Sequence, residues 1–164
     1  MYNLGLDLGT SFIKAALTEC SSGNVVNVVS QPSSEQKIKV FKDGWAEQDP
    51  EIWWKNTCLA IKNLISLTNI NPSLISRIGI SYQMHGLVLL DDNGNLIRDS
   101  IIWCDDRAVS VGKKAFIELG KEKCIDQLLN SPANFTASKL KWVKNNEKEL
   151  YNRVYKFMLP GDYI

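Results

Sequence analysis

Residues 2–8 alternate between apolar and polar positions. Tyr2, Leu4, Leu6 and Leu8 fall on one face, and Asn3, Gly5 and Asp7 on the other. A period of two marks a strand with one face in a core. The small residues Gly9, Thr10 and Ser11 turn the chain, and residues 12–19 read as a second strand. Ser21-Ser22-Gly23-Asn24 turns it again, and the β-branched residues 25–30 read as a third. Three hairpin-linked strands predict an antiparallel opening to a sheet. Residues 31–44 are polar and irregular, an excursion. Residues 49–68 then change to helical period, with Asp49 at the N-cap and Pro50 at the first helical position. Trp53, Thr57, Ala60, Leu64 and Leu67 recur on one face, and Trp54, Ile61 and Ile65 widen it. A stripe this broad suits a helix packed on a sheet.

The second half alternates the two periods. Residues 76–83 read as a strand. Residues 87–97 read as a hairpin, with Asn93-Gly94 supplying the turn. Residues 100–103 form another strand, and residues 107–129 are helical with a break near Gly120. Residues 131–135 are a loop. Thr136 is placed to cap a helix that carries Leu140, Trp142 and Val143. Residues 153–159 read as a last strand, and residues 160–164 as the start of a helix. Strands alternating with helices after a hairpin opening predict a mixed sheet with helices packed on it. Because the pattern stops inside an element, the chain is expected to be a fragment.

Composition narrows the function classes. The 164 residues amount to one ordinary domain or a large piece of one, and 45% hydrophobic residues can fill a core. With 19 basic and 18 acidic residues the net charge is +1, so the basic excess that nucleic acid requires is missing. Residues 113–156 are locally basic and read as the solvated faces of helices. Cys20, Cys58, Cys104 and Cys124 match neither a zinc site nor a disulfide framework. Reduced thiols in a cytoplasmic protein are the expectation. No signal peptide is recognisable at Met1, and no apolar run reaches the ~18 residues of a membrane span.

Three short segments carry candidate chemistry. Asp7-Leu8-Gly9-Thr10-Ser11 places a carboxylate at the end of a strand and follows it with a turn of small residues. Such a turn aims backbone N–H groups and hydroxyls at phosphate oxygens, and a carboxylate beside it suits Mg²⁺. A plain hairpin turn has the same pattern. Gln83-Met84-His85-Gly86 contains the only histidine of the chain. Its ring donates and accepts, as sugar hydroxyls require, although a satisfied structural histidine is the commoner case. Trp103-Cys104-Asp105-Asp106-Arg107 sets an aromatic face, a carboxylate and a guanidinium within five residues. Aromatic faces stack on sugar rings and carboxylates accept from vicinal hydroxyls. The alternative is a core tryptophan with a surface ion pair.

Taken together, GLDLGTSFIKA, GWAEQDPEIWW, ISYQMHGLVLLDDNGNLI, IIWCDDRA and NFTASKLKWV…LPGDYI resemble, in order and spacing, the N-terminal part of FGGY-type carbohydrate kinases. The resemblance covers essentially the whole chain. QMHG and GWAEQDP favour the xylulokinase branch. Gluconokinases share Met-His at these positions, whereas glycerol kinases carry Arg-Glu where Met84 and His85 stand. The resemblance implies a ribonuclease-H-like fold of the actin and hexokinase type, with two domains and a cleft between them. This chain would be an incomplete N-terminal, sugar-binding domain spanning residues 1–164, with the C-terminal nucleotide domain absent. It implies transfer of the ATP γ-phosphoryl group to the 5-hydroxyl of D-xylulose or a related sugar, with ATP and Mg²⁺ as cofactors.

By position, Asp7 matches the aspartate that organises Mg²⁺ and phosphate, and Gly9, Thr10 and Ser11 match the phosphate-facing turn. Met84, His85, Trp103 and Asp105 match sugar-pocket residues, with Gln83 and Arg107 as neighbours of less defined role. The family's general base is an aspartate in a glycine-rich segment beyond Ile164, so these 164 residues are expected to be inactive alone. Cys104 departs from the asparagine common in xylulokinases. A carbohydrate-binding protein without catalysis is the alternative outside the enzyme class. An unpaired sheet edge on the fragment is expected to drive self-association, as a homodimer or larger.

Overall fold

A computed structural model describes all residues from Met1 to Ile164. Along the chain the elements are β1 (Tyr2–Leu8), β2 (Ile13–Glu19), β3 (Val25–Gln31), β4 (Glu47–Gln48), α1 (Pro50–Thr68), β5 (Ile75–Tyr82), β6 (Val88–Leu90), β7 (Ser100–Ile101), α2 (Val109–Leu119), α3 (Lys121–Leu128), α4 (Thr136–Asn146), α5 (Lys148–Tyr151), β8 (Lys156–Met158) and α6 (Pro160–Tyr163). They form two compact units. The first comprises residues 1–37, 50–83 and 164, and the second residues 38–49 and 84–163.

The first unit is a four-stranded mixed sheet in the order β3-β2-β1-β5. β1 pairs antiparallel with β2, from Tyr2 opposite Glu19 to Leu8 opposite Ile13, and β2 pairs antiparallel with β3. The hairpin-linked opening expected from the alternation is therefore present. β5 lies parallel to β1, which requires a crossover, and α1 supplies it. The alternation sets the inner face: Leu4, Leu6, Leu8, Ile13, Ala15 and Leu17 are buried. α1 covers them with Trp53, Thr57, Ala60 and Leu64, all buried. The stripe is narrower than the sequence implied. Trp54 and Leu67 are exposed, because a helix on a three-strand patch touches it with only about a third of its circumference.

The second unit is built from short strands and helices around Leu87, Leu89, Ile101 and Val143, with Ile97, Leu140, Trp142 and Leu150 packed against them. Here the strand expectations need correction. Just beyond the expected excursion, in residues given no element, lies β4, which pairs with β7. The hairpin at 87–97 keeps its tight turn, where Asp91 Oδ1 accepts from the N–H groups of Asn93 and Asn95. Its first arm, however, pairs mainly with β8. Residues 153–155 belong to the link after α5 and not to the last strand.

The break near Gly120 is real. Gly120 has φ +91°, a conformation costly for any residue with a Cβ, and it separates α2 from α3. Thr136 is the first helical residue of α4, preceded by an extended Phe135. Its hydroxyl donates to the Gly86 carbonyl at 3.3 Å and does not cap the helix.

Candidate functional site

In the first unit, Asp7 sits one residue before the end of β1, opposite Lys14 on β2 and Ser81 on β5. The turn that follows is tight. Gly9 N–H donates to the Phe12 carbonyl at 3.0 Å, and a Cβ at Gly9 would lie 2.8 Å from that same oxygen. Only glycine closes the turn this sharply. Thr10 Oγ1 donates to Gln83 Oε1 at 3.3 Å, and the Ser11 carbonyl accepts from Gln36 N–H at 2.9 Å. Gln83 N–H in turn donates to the Leu8 carbonyl at 2.9 Å, prolonging the β1–β5 ladder. The sequence-predicted group Asp7, Gly9, Thr10, Ser11 and Gln83 is thus one contiguous cluster at the end of β1 and β5.

In the second unit, Met84 and Trp103 present large apolar side chains to solvent, 64% and 46% exposed. His85 adopts φ +62°, unusual for a residue with a side chain. The left-handed turn lays its imidazole on the Phe135 ring, with centroids 4.8 Å apart and planes 24° from parallel. Burial and the nearby Lys139 charge hold its pKa below the ordinary 6.5, so the ring is neutral at pH 7 and can both donate and accept. Gly86 allows the close approach of Pro160, whose ring carbon would lie 2.5 Å from an added Cβ. The His85 imidazole is therefore held against Phe135, while the Trp103 side chain is open to solvent.

Asp105 and Arg107 invert the simple alternative of a core tryptophan and a surface ion pair. The tryptophan is exposed and the ion pair is buried. Asp105 is 1% exposed. Its carboxylate accepts from Ala46 N–H at 2.6 Å, Arg107 N–H at 2.9 Å, Arg107 Nε at 2.9 Å and Arg107 Nη2 at 2.7 Å. Arg107 Nη1 lies 2.7 Å from Glu47 Oε1, and Glu47 also pairs with Arg98, which pairs with Glu147. The Arg107 guanidinium is stacked 3.8 Å from the Trp45 ring centroid and 5.3 Å from that of Trp142. With these bonds, Asp105 frames the loop that carries Trp103.

The sequence profile for the N-terminal domain of the FGGY family of carbohydrate kinases matches residues 2–164. The chain belongs to this family. A xylulose kinase of Staphylococcus epidermidis is 38% identical over 163 residues, covering 98% of this chain and 31% of that protein. Among solved structures, a xyloylose kinase from Brucella ovis superposes with a TM-score of 0.88 at 35% identity, covering 99% of this chain and 33% of that one. A gluconate kinase from Lactobacillus acidophilus superposes with a TM-score of 0.84 at 27% identity, covering 99% and 32%. The fold is the actin- and hexokinase-like one of these FGGY sugar kinases. The chain spans about a third of the length of the curated relatives it matches. No helix is long and apolar enough to cross a membrane.

Two groups important to this FGGY domain escaped the sequence reading. Glu47, at the centre of the buried ion network, lay in the quoted GWAEQDP segment but was given no role. Lys139 is fully buried, four residues before the core residue Val143. That spacing puts it on the inward face of α4, the signal that would have found it. As for Mg²⁺, no three His, Cys, Asp or Glu side chains lie close enough to cage a metal. Mg²⁺ keeps most of its waters and takes one or two carboxylates together with substrate phosphates. A single carboxylate, Asp7, one residue before the end of β1 and two before the Gly9–Ser11 turn, matches that donor demand.

Proposed function

We propose that this chain is the sugar-binding N-terminal part of a cytoplasmic, ATP-dependent kinase that phosphorylates D-xylulose at its 5-hydroxyl. The observation that carries the reading is the pairing of an exposed Trp103 face with a neutral His85 imidazole stacked on Phe135. The Trp103 face stacks on the apolar face of the sugar. His85 orients hydroxyls by donating through one ring nitrogen and accepting through the other. Met84 adds adaptable apolar contact. Asp105 and Arg107 hold the loop in place beneath Trp103. The identity to xylulose kinases over the whole chain supports D-xylulose in particular.

Phosphoryl transfer needs little covalent help from a protein. It needs in-line positioning of the hydroxyl and stabilisation of charge on the transferred group. In this reading the Gly9–Ser11 turn faces phosphate and Asp7 would hold Mg²⁺. When bound, the metal neutralises charge on the phosphate oxygens. The base that takes the hydroxyl proton, and the nucleotide domain, lie in the remainder of the protein.

The test is an ADP-release assay with Mg-ATP on the complete protein, against D-xylulose, D-ribulose, gluconate and glycerol, with the 164-residue chain run beside it. Turnover is expected on D-xylulose from the complete protein and none from the chain alone. Preference for gluconate would keep the family and overturn the substrate. Turnover by the isolated chain would mean that its own residues supply the base.

A further inference from the structure

α4 buries a lysine completely. Lys139 is 0% exposed, although lysine almost never is. Its ammonium donates to the Asn134 carbonyl at 2.7 Å and to Asn134 Oδ1 at 2.6 Å. Both acceptors belong to one residue, so the lysine grips Asn134 by backbone and side chain together. The amide of Asn134 points the other way, and its Nδ2 donates to the Trp103 carbonyl. The next residue, Phe135, carries the ring on which His85 lies. One buried ammonium is therefore linked by hydrogen bonds to the backbone of Trp103, and by one peptide unit to the support of His85.

Burying this charge is costly. Desolvation lowers the Lys139 pKa from 10.5 to about 8, with the Arg107 charge acting in the same direction and the Asp105 charge opposing it. A methionine or leucine here would pack without that cost. The bonds of this buried ammonium lead through Asn134 to the backbone of Trp103, and Asn134 is followed in the chain by Phe135, on which His85 lies.

We propose that Lys139 is a positioning residue for sugar recognition: it clamps Asn134, and through Asn134 it sets Trp103 and the Phe135 platform beneath His85. Lys139 touches no substrate itself. This rests on the sugar-kinase reading given above.

The test compares Lys139→Met, Asn134→Ala and the double variant in the complete protein, measuring KM for D-xylulose, KM for ATP and kcat. Loss of the clamp raises the sugar KM about tenfold, the equivalent of one net hydrogen bond, while ATP KM and kcat per folded enzyme stay near wild type. Because the two residues act in series, the double variant is no worse than the worse single. A lysine that served stability alone would lower the folded fraction and leave the sugar KM unchanged, and that result overturns the proposal. Independent, multiplying effects overturn it too. If Lys139→Met does not fold, Asn134→Ala decides alone, since an unchanged sugar KM there breaks the relay at its link. Absence of sugar turnover in the wild-type protein would instead sink the kinase reading.

Discussion

Asp105→Asn separates framing from ligand binding. The substitution preserves shape and removes one charge. The carboxylate receives bonds from Ala46 N–H and from three N–H groups of Arg107. An amide has one oxygen. If that oxygen keeps Ala46 and the guanidinium, the new NH₂ group faces Arg107 N–H, donor against donor. The variant loses at least one bond to a charged acceptor, each about 1.5–3 kcal/mol. It also leaves the buried Arg107 with Glu47 as its only carboxylate, one already shared with Arg98. Breaking a buried pair costs about 3–5 kcal/mol when no partner remains. Because Glu47 stays, a loss of about 3 kcal/mol is expected, a sizeable part of a typical domain's 5–15 kcal/mol. Urea unfolding followed by tryptophan fluorescence measures it, since Trp45 and Trp142 flank the guanidinium. Adding Arg107→Met should recover part of the loss, because an apolar side chain between two indoles needs no counter-charge. A variant within about 0.5 kcal/mol of wild type that nonetheless raises the sugar KM would refute the framing role and restore Asp105 as a sugar contact.

Other predictions follow from single contacts. Gly112→Ala on α2 would place a Cβ 2.4 Å from Ala133 Cα and 2.4 Å from the Pro132 carbonyl oxygen. Both are backbone atoms, so overpacking should cost about 1–3 kcal/mol, and wild-type thermal stability would show that the turn yields freely. His85 has a pKa below its ordinary 6.5, so the unfolded chain binds its proton more readily. The stability it contributes is full above about pH 6.5 and is lost as pH falls through that range. Comparing unfolding midpoints of wild type and His85→Asn at pH 5 and 7.5 should show the difference between them shift toward the variant at acid pH, and a constant difference counts against the perturbed histidine. Finally, Ile78 and Ile80 lie exposed on β5, an edge strand. The isolated chain should therefore self-associate with concentration, and Ile78→Lys should reduce this. A monomer in light scattering at all concentrations would contradict it.

The first unit was largely legible because its signals are local. Alternation in β1, the small-residue turn at Gly9 and the Pro50 start of α1 each act within a few residues, and the structure keeps all three. The second unit was less so because its strands are two or three residues long. β4 has no period to read. Its existence depends on Ile101, which pairs with Glu47 from a distant part of the chain, and on Lys39, which bridges to it from within the expected excursion. β6 found a partner about 70 residues away because burying Val88, Leu89 and Leu90 outweighs completing a local hairpin. Non-local pairing of short strands follows from packing and leaves no mark on sequence spacing.

The candidate site divides in the same way. Met84, His85 and Trp103 were named through the family resemblance, since residue type alone left a satisfied structural histidine and a core tryptophan as the commoner readings. The roles of Asp105 and Arg107 could not be read that way. Two residues apart on the chain, they looked like a surface pair, yet the loop returns the carboxylate onto the guanidinium and buries both beneath the indoles of Trp45 and Trp142. Lys139 shows the converse. Its helical spacing to Val143 already placed it inward, and a lysine on an inward face conflicts with the preference of a charge for water. Such conflicts between residue type and position mark places where function, not folding, selects the side chain. In this domain the buried ammonium bonds Asn134 and Asn134 bonds the Trp103 carbonyl, and this chain of contacts is what the Lys139→Met and Asn134→Ala variants test.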